Sequence, residues 1–183
     1  EVSGEVKGSL TVERGITNSK IGVLGELNAE RIVGGDASAL LGMDINYLGS
    51  DLGVVTTIRP GFDYRVSSLV EKLESLEVDI EDFGKRAAPY MQQGSEFERL
   101  DEEKQSASEA AFESLTDARM KRDKWGNDLD SFRENEAEHA IRMVNVGSQL
   151  HADVLICIED VCREFNEPKG GKWTISRDAE TGQ

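Results

Sequence analysis

Two histidines and two cysteines are the side chains of this sequence with the widest chemical range. His139 and His151 stand twelve residues apart, and Cys157 and Cys162 five apart. A zinc site would place them at ligand spacing beside one another or beside a carboxylate, and this interval, within strand-like runs, fits no zinc signature. The pattern predicts buried strand cysteines and surface histidines. No serine occupies a nucleophile elbow, and no His-Glu-x-x-His occurs. Neighbouring acids such as Glu81-Asp82 and Asp101-Glu102-Glu103 fall on the exposed side of helical stretches, where no cleft would shift their pKa values. The glycine pairs of Gly22-Val23-Leu24-Gly25 and Gly34-Gly35 lack the long amphipathic helix that a dinucleotide fingerprint requires, so they read as turn glycines. The expectation is therefore no catalytic residue, no cofactor, no metal and no enzyme.

The elements that would hold such residues in place are more legible than the residues themselves. The run from Asp63 to Glu136 contains Val66, Leu69, Leu73, Leu76, Ile80, Phe83, Ala87 and Tyr90, alternating steps of three and four that place one apolar seam along a helix. Pro60-Gly61 signals a turn, and Asp63 stands at the N-cap position before the first seam residue. Pro89 and Gln92-Gln93-Gly94 are expected to end this helix, and Ser95-Glu96-Phe97-Glu98 reads as a capping box that opens a second one. The second seam is weaker: Leu100, Ala107, Ala111, Leu115, Ala118, Trp125, Leu129 and Phe132, with Lys104 and Arg122 at apolar positions and a stutter around Ala107.

Before this run, short apolar pairs begin at Leu10, Ile21, Ile32, Met43 and Val54, a constant step of eleven. A fixed period of short strands separated by Gly, Asn and Asp turns marks a stacked β-coil, in which eleven residues can span two faces of a triangular coil. A meandering antiparallel sheet with coincidental spacing is the alternative. After the run, strands are expected at 141–144, 154–158, 161–165 and 172–176. The reading is α+β: a β-solenoid body from 1–62 and 137–176, an inserted long antiparallel coiled-coil hairpin over 63–136 that projects from it, and a loose tail at 177–183.

The formal net charge of -15 disfavours nucleic acid and anionic membrane surfaces as partners. No apolar run is long enough to span a membrane, and no signal peptide is evident. Because the first residue is Glu1 rather than methionine, a fragment of a longer protein is expected.

The Gly-rich β-run, the turn Thr57-Ile58-Arg59-Pro60-Gly61, the heptad hairpin, and the return to strands around Val144-Asn145-Val146 and Val154-Leu155-Ile156-Cys157-Ile158 resemble the flagellar assembly protein A family. Asn18-Ser19-Lys20-Ile21, Ile32-Val33-Gly34-Gly35 and Leu40-Leu41-Gly42 are similar to its β-coil segments. The resemblance covers nearly the whole chain. It implies a right-handed parallel β-helix with a protruding antiparallel coiled coil, no catalytic residues, and a role in bacterial flagellar assembly or polar organisation.

The expected function is that of a non-enzymatic scaffold that binds protein partners of the flagellar or cell-pole machinery, with self-association as a further option. Tyr90, Met91 and Phe97, exposed groups at the hairpin tip, are the candidate partner-binding residues, with simple tip packing as the alternative. The rival readings are a bactofilin-like self-assembling solenoid and, behind it, a hexapeptide-type acyltransferase, whose six-residue apolar period is out of phase with eleven. Two cysteines are too few for a disulfide framework and suit a reducing cytosol, so a cytoplasmic location is expected, and the family resemblance implies the cell pole within it.

Overall fold

A computed structural model describes residues 2–92 and 101–177. The chain divides into two compact units, Glu1–Tyr64 with Phe132–Gln183, and Arg65–Ser131. The first is a β-solenoid of about three turns and the second is helical, so the fold is α+β. The Arg177–Gln183 tail expected from the sequence lies, beyond Arg177, outside the described residues.

Among the described residues eleven strands make the solenoid: β1 (Val2–Val6), β2 (Leu10–Val12), β3 (Ile16–Val23), β4 (Leu27–Ala39), β5 (Met43–Leu48), β6 (Thr56–Pro60), β7 (Met143–Leu150), β8 (Val154–Ile158), β9 (Val161–Phe165), β10 (Lys169–Gly170) and β11 (Trp173–Ser176). Their parallel registers form three stacks. In one, Val6, Val23 and Ala39 lie above one another. In the next, Leu10, Leu27, Met43 and Val144 do so. In the third, Ile16, Ile32, Leu48 and Leu150 do so. The step from one coil to the next is seventeen residues from Leu10 to Leu27 and sixteen from Leu27 to Met43. Two of three faces in such a coil take about eleven residues, which is why the apolar pairs recur at that interval. The last member of the series departs from it, because Val54-Val55 lies in a loop and the strand starts at Thr56.

The alternation of inward apolar and outward polar residues gives this unit its core. Val23, Leu27, Ile45, Leu48, Ile58, Val144, Leu150 and Val154 are fully enclosed, each held by the same stack position of the neighbouring coil. Corners need special backbone: Asn18 and, one coil on, Gly34 both have positive φ, at 47° and 70°. A Cβ at Gly34 would meet Asn18 Oδ1 at 2.2 Å and Val54 Cγ1 at 2.7 Å, so a side chain at this positive-φ corner would be strained and would displace both neighbours.

The corner between β6 and β7 carries the helices. At the equivalent corners of earlier coils the chain passes from β3 to β4 through Leu24-Gly25-Glu26, and from β4 to β5 through Leu40-Leu41-Gly42. After β6, residues 61–142 take that place. The backbone ladder continues regardless, since Gly61 N–H donates to Ala39 C=O at 2.8 Å and Ile141 N–H to Leu40 C=O at 2.9 Å. The solenoid thus treats the whole excursion as one corner. Buried Asp63, just before the first helix, donates its N–H to Glu136 Oε2 at 2.9 Å.

The last three strands reverse. β9 pairs antiparallel with β8, β10 and β11 antiparallel with β7, so the final coil runs backwards over the one before it. The reversal comes from the two-residue turn Glu159-Asp160, with Glu159 at φ 55°. It also corrects the reading of the cysteines. Cys157 and Cys162 are register partners across this hairpin and are joined in a disulfide with Cα atoms 4.0 Å apart. Cys162 is exposed rather than buried in a strand face. Spacing along the chain suggested two thiols; the antiparallel return brings them together.

Helix α1 (Tyr64–Gln92) carries Pro89 inside its last turn instead of ending before it. Helix α2 (Glu102–His139) begins after Asp101, whose Oδ1 accepts the Lys104 N–H at 2.9 Å as an N-cap does. The capping box assigned to Ser95, and Phe97 and Leu100 with it, lie outside the described residues.

Candidate interaction surfaces

Within the helical unit the seam of α1 is buried or half-buried at every position from Val66 to Tyr90, as its spacing predicts. The seam of α2 differs from expectation at one end. Ser108 is buried and Ala107 exposed, so the buried stripe runs Ser108, Ala111, Leu115, Ala118, Arg122, Trp125, Leu129, Phe132 in unbroken steps of three and four. The stutter disappears, and Lys104, four residues before Ser108, continues the spacing but is exposed. Arg122 does occupy a stripe position, half-exposed, with its guanidinium held by Asp123 at 2.8 Å.

Ser108 earns its place by hydrogen bonding. Its hydroxyl donates to the Arg86 C=O at 3.0 Å and accepts the Tyr90 N–H at 3.1 Å. These two backbone groups flank Pro89, which has no N–H of its own and disturbs the helical ladder around it. A small hydroxyl from α2 thus bridges a carbonyl and an N–H of α1 on either side of the proline. Around it, Ala87, Ala111 and Leu115 form a small core with Ile80, Phe83 and Phe112 against it.

Of the candidate partner-binding residues, Tyr90 is half-buried with its ring 5.2 Å from that of Phe112, so part of its surface is used inside the unit. Met91 is exposed. Two further exposed apolar residues, Val78 and Met120, escaped the sequence reading. Each stands midway between stripe residues, and apolar character off the seam period is the signal that would have found them. A shallow groove lined by Leu73, Glu77, Arg122, Gly126, Asn127 and Asp130 marks where the side-chain-free Gly126 interrupts α2's surface.

The outer surface of this unit is charged. Residues 65–131 contain 17 acids and 10 bases, arranged in part as local pairs. Lys85 lies 2.7 Å from Glu81, and the hydrogen bond followed by the charge attraction holds the Glu81 carboxyl below its usual range and Lys85 above its own. The side-chain hydrogen bond from Lys104, with the backbone N–H of the same residue, likewise lowers Asp101. Arg122 is raised by the Asp123 carboxylate. All of these groups are solvated, so the pairs tune helix ends and faces rather than chemistry.

On the solenoid, one outward ladder is polar throughout: Thr11, Asn28, Asp44, Asn145 and Thr174 are register neighbours. Thr174 donates to Asn145 Oδ1 at 2.8 Å, and beside this ladder Asn46 donates to Glu30 Oε2 at 2.6 Å. His151 and Asp51 lie 2.8 Å apart, joining the loop after β5 to the corner before β8. His139 is exposed at the end of α2. The two histidines are not brought to a common site with the cysteines, which are bonded to each other. Among the described residues no group of three or more His, Cys, Asp or Glu side chains is placed to hold a metal ion, and no helix is long and apolar enough to cross a membrane.

A family model described as the Flagellar Assembly Protein A beta solenoid domain matches residues 1–181. Neither a curated protein nor a solved structure matches the chain.

Proposed function

We infer the function from one premise: the chain belongs to the flagellar assembly protein A β-solenoid family, so it is a flagellar-assembly-related β-solenoid protein. On that premise we read it as a non-enzymatic scaffold whose helical unit docks a protein partner of the flagellar or cell-pole machinery. The observation that carries this reading is the division of labour in the helical unit. Its apolar stripe is consumed internally, and what remains outside is a charged, net acidic surface with isolated apolar groups at Val78, Met91 and Met120. Such a surface favours a partner whose contact face is neutral or basic.

In this reading α1 and α2 form an antiparallel coiled-coil hairpin. The support is that Tyr90 meets Ser108 and Phe112 while Leu73, earlier in α1, shares a groove with Arg122 to Asp130, later in α2. The solenoid's coils are right-handed in this proposal, as the family resemblance implies. Its place in this proposal is the cytoplasm at the cell pole, and the Cys157–Cys162 disulfide is the observation that speaks against a reducing compartment. An open-ended bactofilin-like polymer fits less well, because β9 to β11 close one end with reversed strands. The acyltransferase reading wants a six-residue apolar period, and the coil step of seventeen residues from Leu10 to Leu27 and sixteen from Leu27 to Met43 is not a multiple of it.

The test is co-purification from a flagellated bacterium with the intact chain and with a form in which residues 65–131 are replaced by a short Gly-Ser corner between Tyr64 and Phe132. Loss of the specific partner with an intact solenoid, checked by circular dichroism, is the expected result. Recovery of the same partner at the same yield would remove the helical unit from recognition.

A further inference from the structure

The disulfide joins residues that the fold already holds together. Cys157 and Cys162 are register partners in the β8–β9 hairpin, whose ladder also sets Ile156 against Arg163 and Ile158 against Val161. Their sequence separation is five, and a cross-link that closes so short a loop removes little freedom from the unfolded chain. The sulfurs also lie away from the core. Ile156 and Ile158 belong to the inward apolar cluster, and successive side chains of a strand point to opposite faces, so Cys157 between them faces the outer wall. Opposite it Cys162 is exposed, whereas Cys157 is only 8% exposed. A strand added beside β9 would pair through its backbone and leave this wall as it is.

What the bond does hold is β9. Val161, Cys162, Arg163 and Glu164 are all exposed, and Phe165, over Val154, is the one buried side chain of the strand. Charge ties the turn at the other end: Arg142 and Arg177 both pair with Glu159, and Arg177 also reaches Asp160 at 3.0 Å. Between these two fastenings the disulfide clamps the middle of the strand.

We propose that Cys157 and Cys162 form a thiol–disulfide exchange site, at which a dithiol reductant opens the bond through Cys162 and releases the middle of β9 while the solenoid stays folded. A thiolate of the reductant attacks Cys162 Sγ; the bond between the two sulfurs breaks, and Cys157 leaves with the electron pair and takes up a proton. The reductant's second thiol loses its proton and attacks the reductant's own sulfur in the mixed disulfide, and Cys162 leaves as a thiolate that is then protonated. Two electrons and two protons have passed to the pair, and the reductant carries the disulfide. In the other direction glutathione disulfide closes the bond, which the hairpin register favours by keeping the two thiols opposite each other, and two molecules of glutathione leave. The state of the pair sets how firmly β9 covers β8. The inference stands apart from the partner assigned to the helical unit.

The experiment treats the full chain, without denaturant, with dithiothreitol and then with glutathione disulfide. Maleimide-reactive thiols are counted by mass while circular dichroism follows the fold. The oxidised chain should show no reactive thiol, the reduced chain two, and glutathione disulfide should return it to none. Circular dichroism should stay constant throughout, and on reduction amide exchange should quicken at 161–164 and stay as it was in β4 to β6. A bond that dithiothreitol opens only in denaturant, a pair that glutathione disulfide does not close, a solenoid that unfolds on reduction, or β9 exchange that does not respond would each overturn the proposal.

Two variants locate the attack. Cys157→Ala leaves the exposed Cys162, which should form a mixed disulfide with glutathione disulfide in the folded chain. Cys162→Ala leaves the buried Cys157, which should react far more slowly. Equal capture by the two folded variants, or the reverse order, overturns the assignment of Cys162 as the attacked sulfur. Should either variant unfold, the thiol count and amide exchange of the wild type still decide.

Discussion

Leu27 in the solenoid lies between Leu10 and Met43 of the neighbouring coils and is fully enclosed, while Leu73 of the helical unit stays half-exposed although it belongs to an unbroken stripe. Both are leucines in regular, repeating environments. In the solenoid a side chain is covered from above, below and across the coil, so one register step fixes many contacts at once. A helix pair covers a side chain from one direction, and its burial depends on what the facing helix offers at that height. Among the described residues the solenoid unit buries the polar side chains Ser38, Thr56 and Asp63, and the Thr56 hydroxyl donates to Val54 C=O and accepts the Gly34 N–H. The helical unit admits Ser108 and Arg122 into its stripe.

If the two units bury their cores by separate rules, their failures should be separable. Leu27→Ala should cost the solenoid about 2 to 5 kcal/mol, and Leu115→Ala should cost the helical unit a similar amount. The chain provides one tryptophan in each, Trp173 and Trp125. In Trp125→Phe and Trp173→Phe backgrounds, urea unfolding followed by fluorescence should show each leucine substitution moving only the transition of its own unit. Equal movement of both transitions by either substitution would make the two units one cooperative block and break the comparison.

A smaller effect sharpens it. Ser108→Ala removes the hydroxyl that bridges Tyr90 N–H and Arg86 C=O, and should destabilise the helical unit by about 1 kcal/mol. Thr116→Ala, at an exposed position whose hydroxyl bonds only its own helix, should stay within about 0.5 kcal/mol of the wild type. A neutral Ser108→Ala would mean that the stripe is held by apolar contact alone.

The smallest effect is the response to pH, and it belongs to the helical unit. Asp101 and Glu81 are held below the usual carboxylate range by Lys104 and Lys85. Their contribution is present above the ordinary carboxylate pKa of about 4 and is lost as pH falls through the lowered folded values. Lys104 and Lys85 are raised, so their contribution is present below the ordinary lysine value of about 10 and is lost as pH climbs through the higher folded values. Helical circular dichroism should thus be flat between those limits and decline slightly at both ends. Added salt should shrink the effect, since the pairs are solvated. Asp101→Asn should weaken the acid limb; an unchanged acid limb in that variant would show that the α2 cap does not contribute to it.

The seam of α1 was readable because apolar residues recur with the helical period and their burial follows from it. Half of the α2 seam was equally plain, but Ser108 was hidden by Ala107 beside it. A reading by hydrophobicity chooses the alanine; the structure chooses the serine, whose hydroxyl bridges Arg86 C=O and Tyr90 N–H on either side of Pro89. The eleven-residue step at Leu10, Ile21, Ile32 and Met43 announced a repeating coil without its length, since the same step counts two faces out of three. Phe97 lies outside the described residues, and Tyr90 and Met91 divide between internal packing and exposure.

By itself the sequence determined what is local and periodic: short strands at constant spacing, an amphipathic helix of fixed phase, turn glycines where side chains would collide, and an acidic surface. These follow from the fixed geometry of strand and helix, which any residue pattern must match to bury its apolar side. Only the tertiary structure decided what depends on chain reversal and on neighbours distant in sequence. The strand direction after Glu159-Asp160 turned Cys157 and Cys162 into partners and laid reversed strands over one end of the solenoid. That choice is set by one two-residue turn, and its consequences are spread across the whole stack.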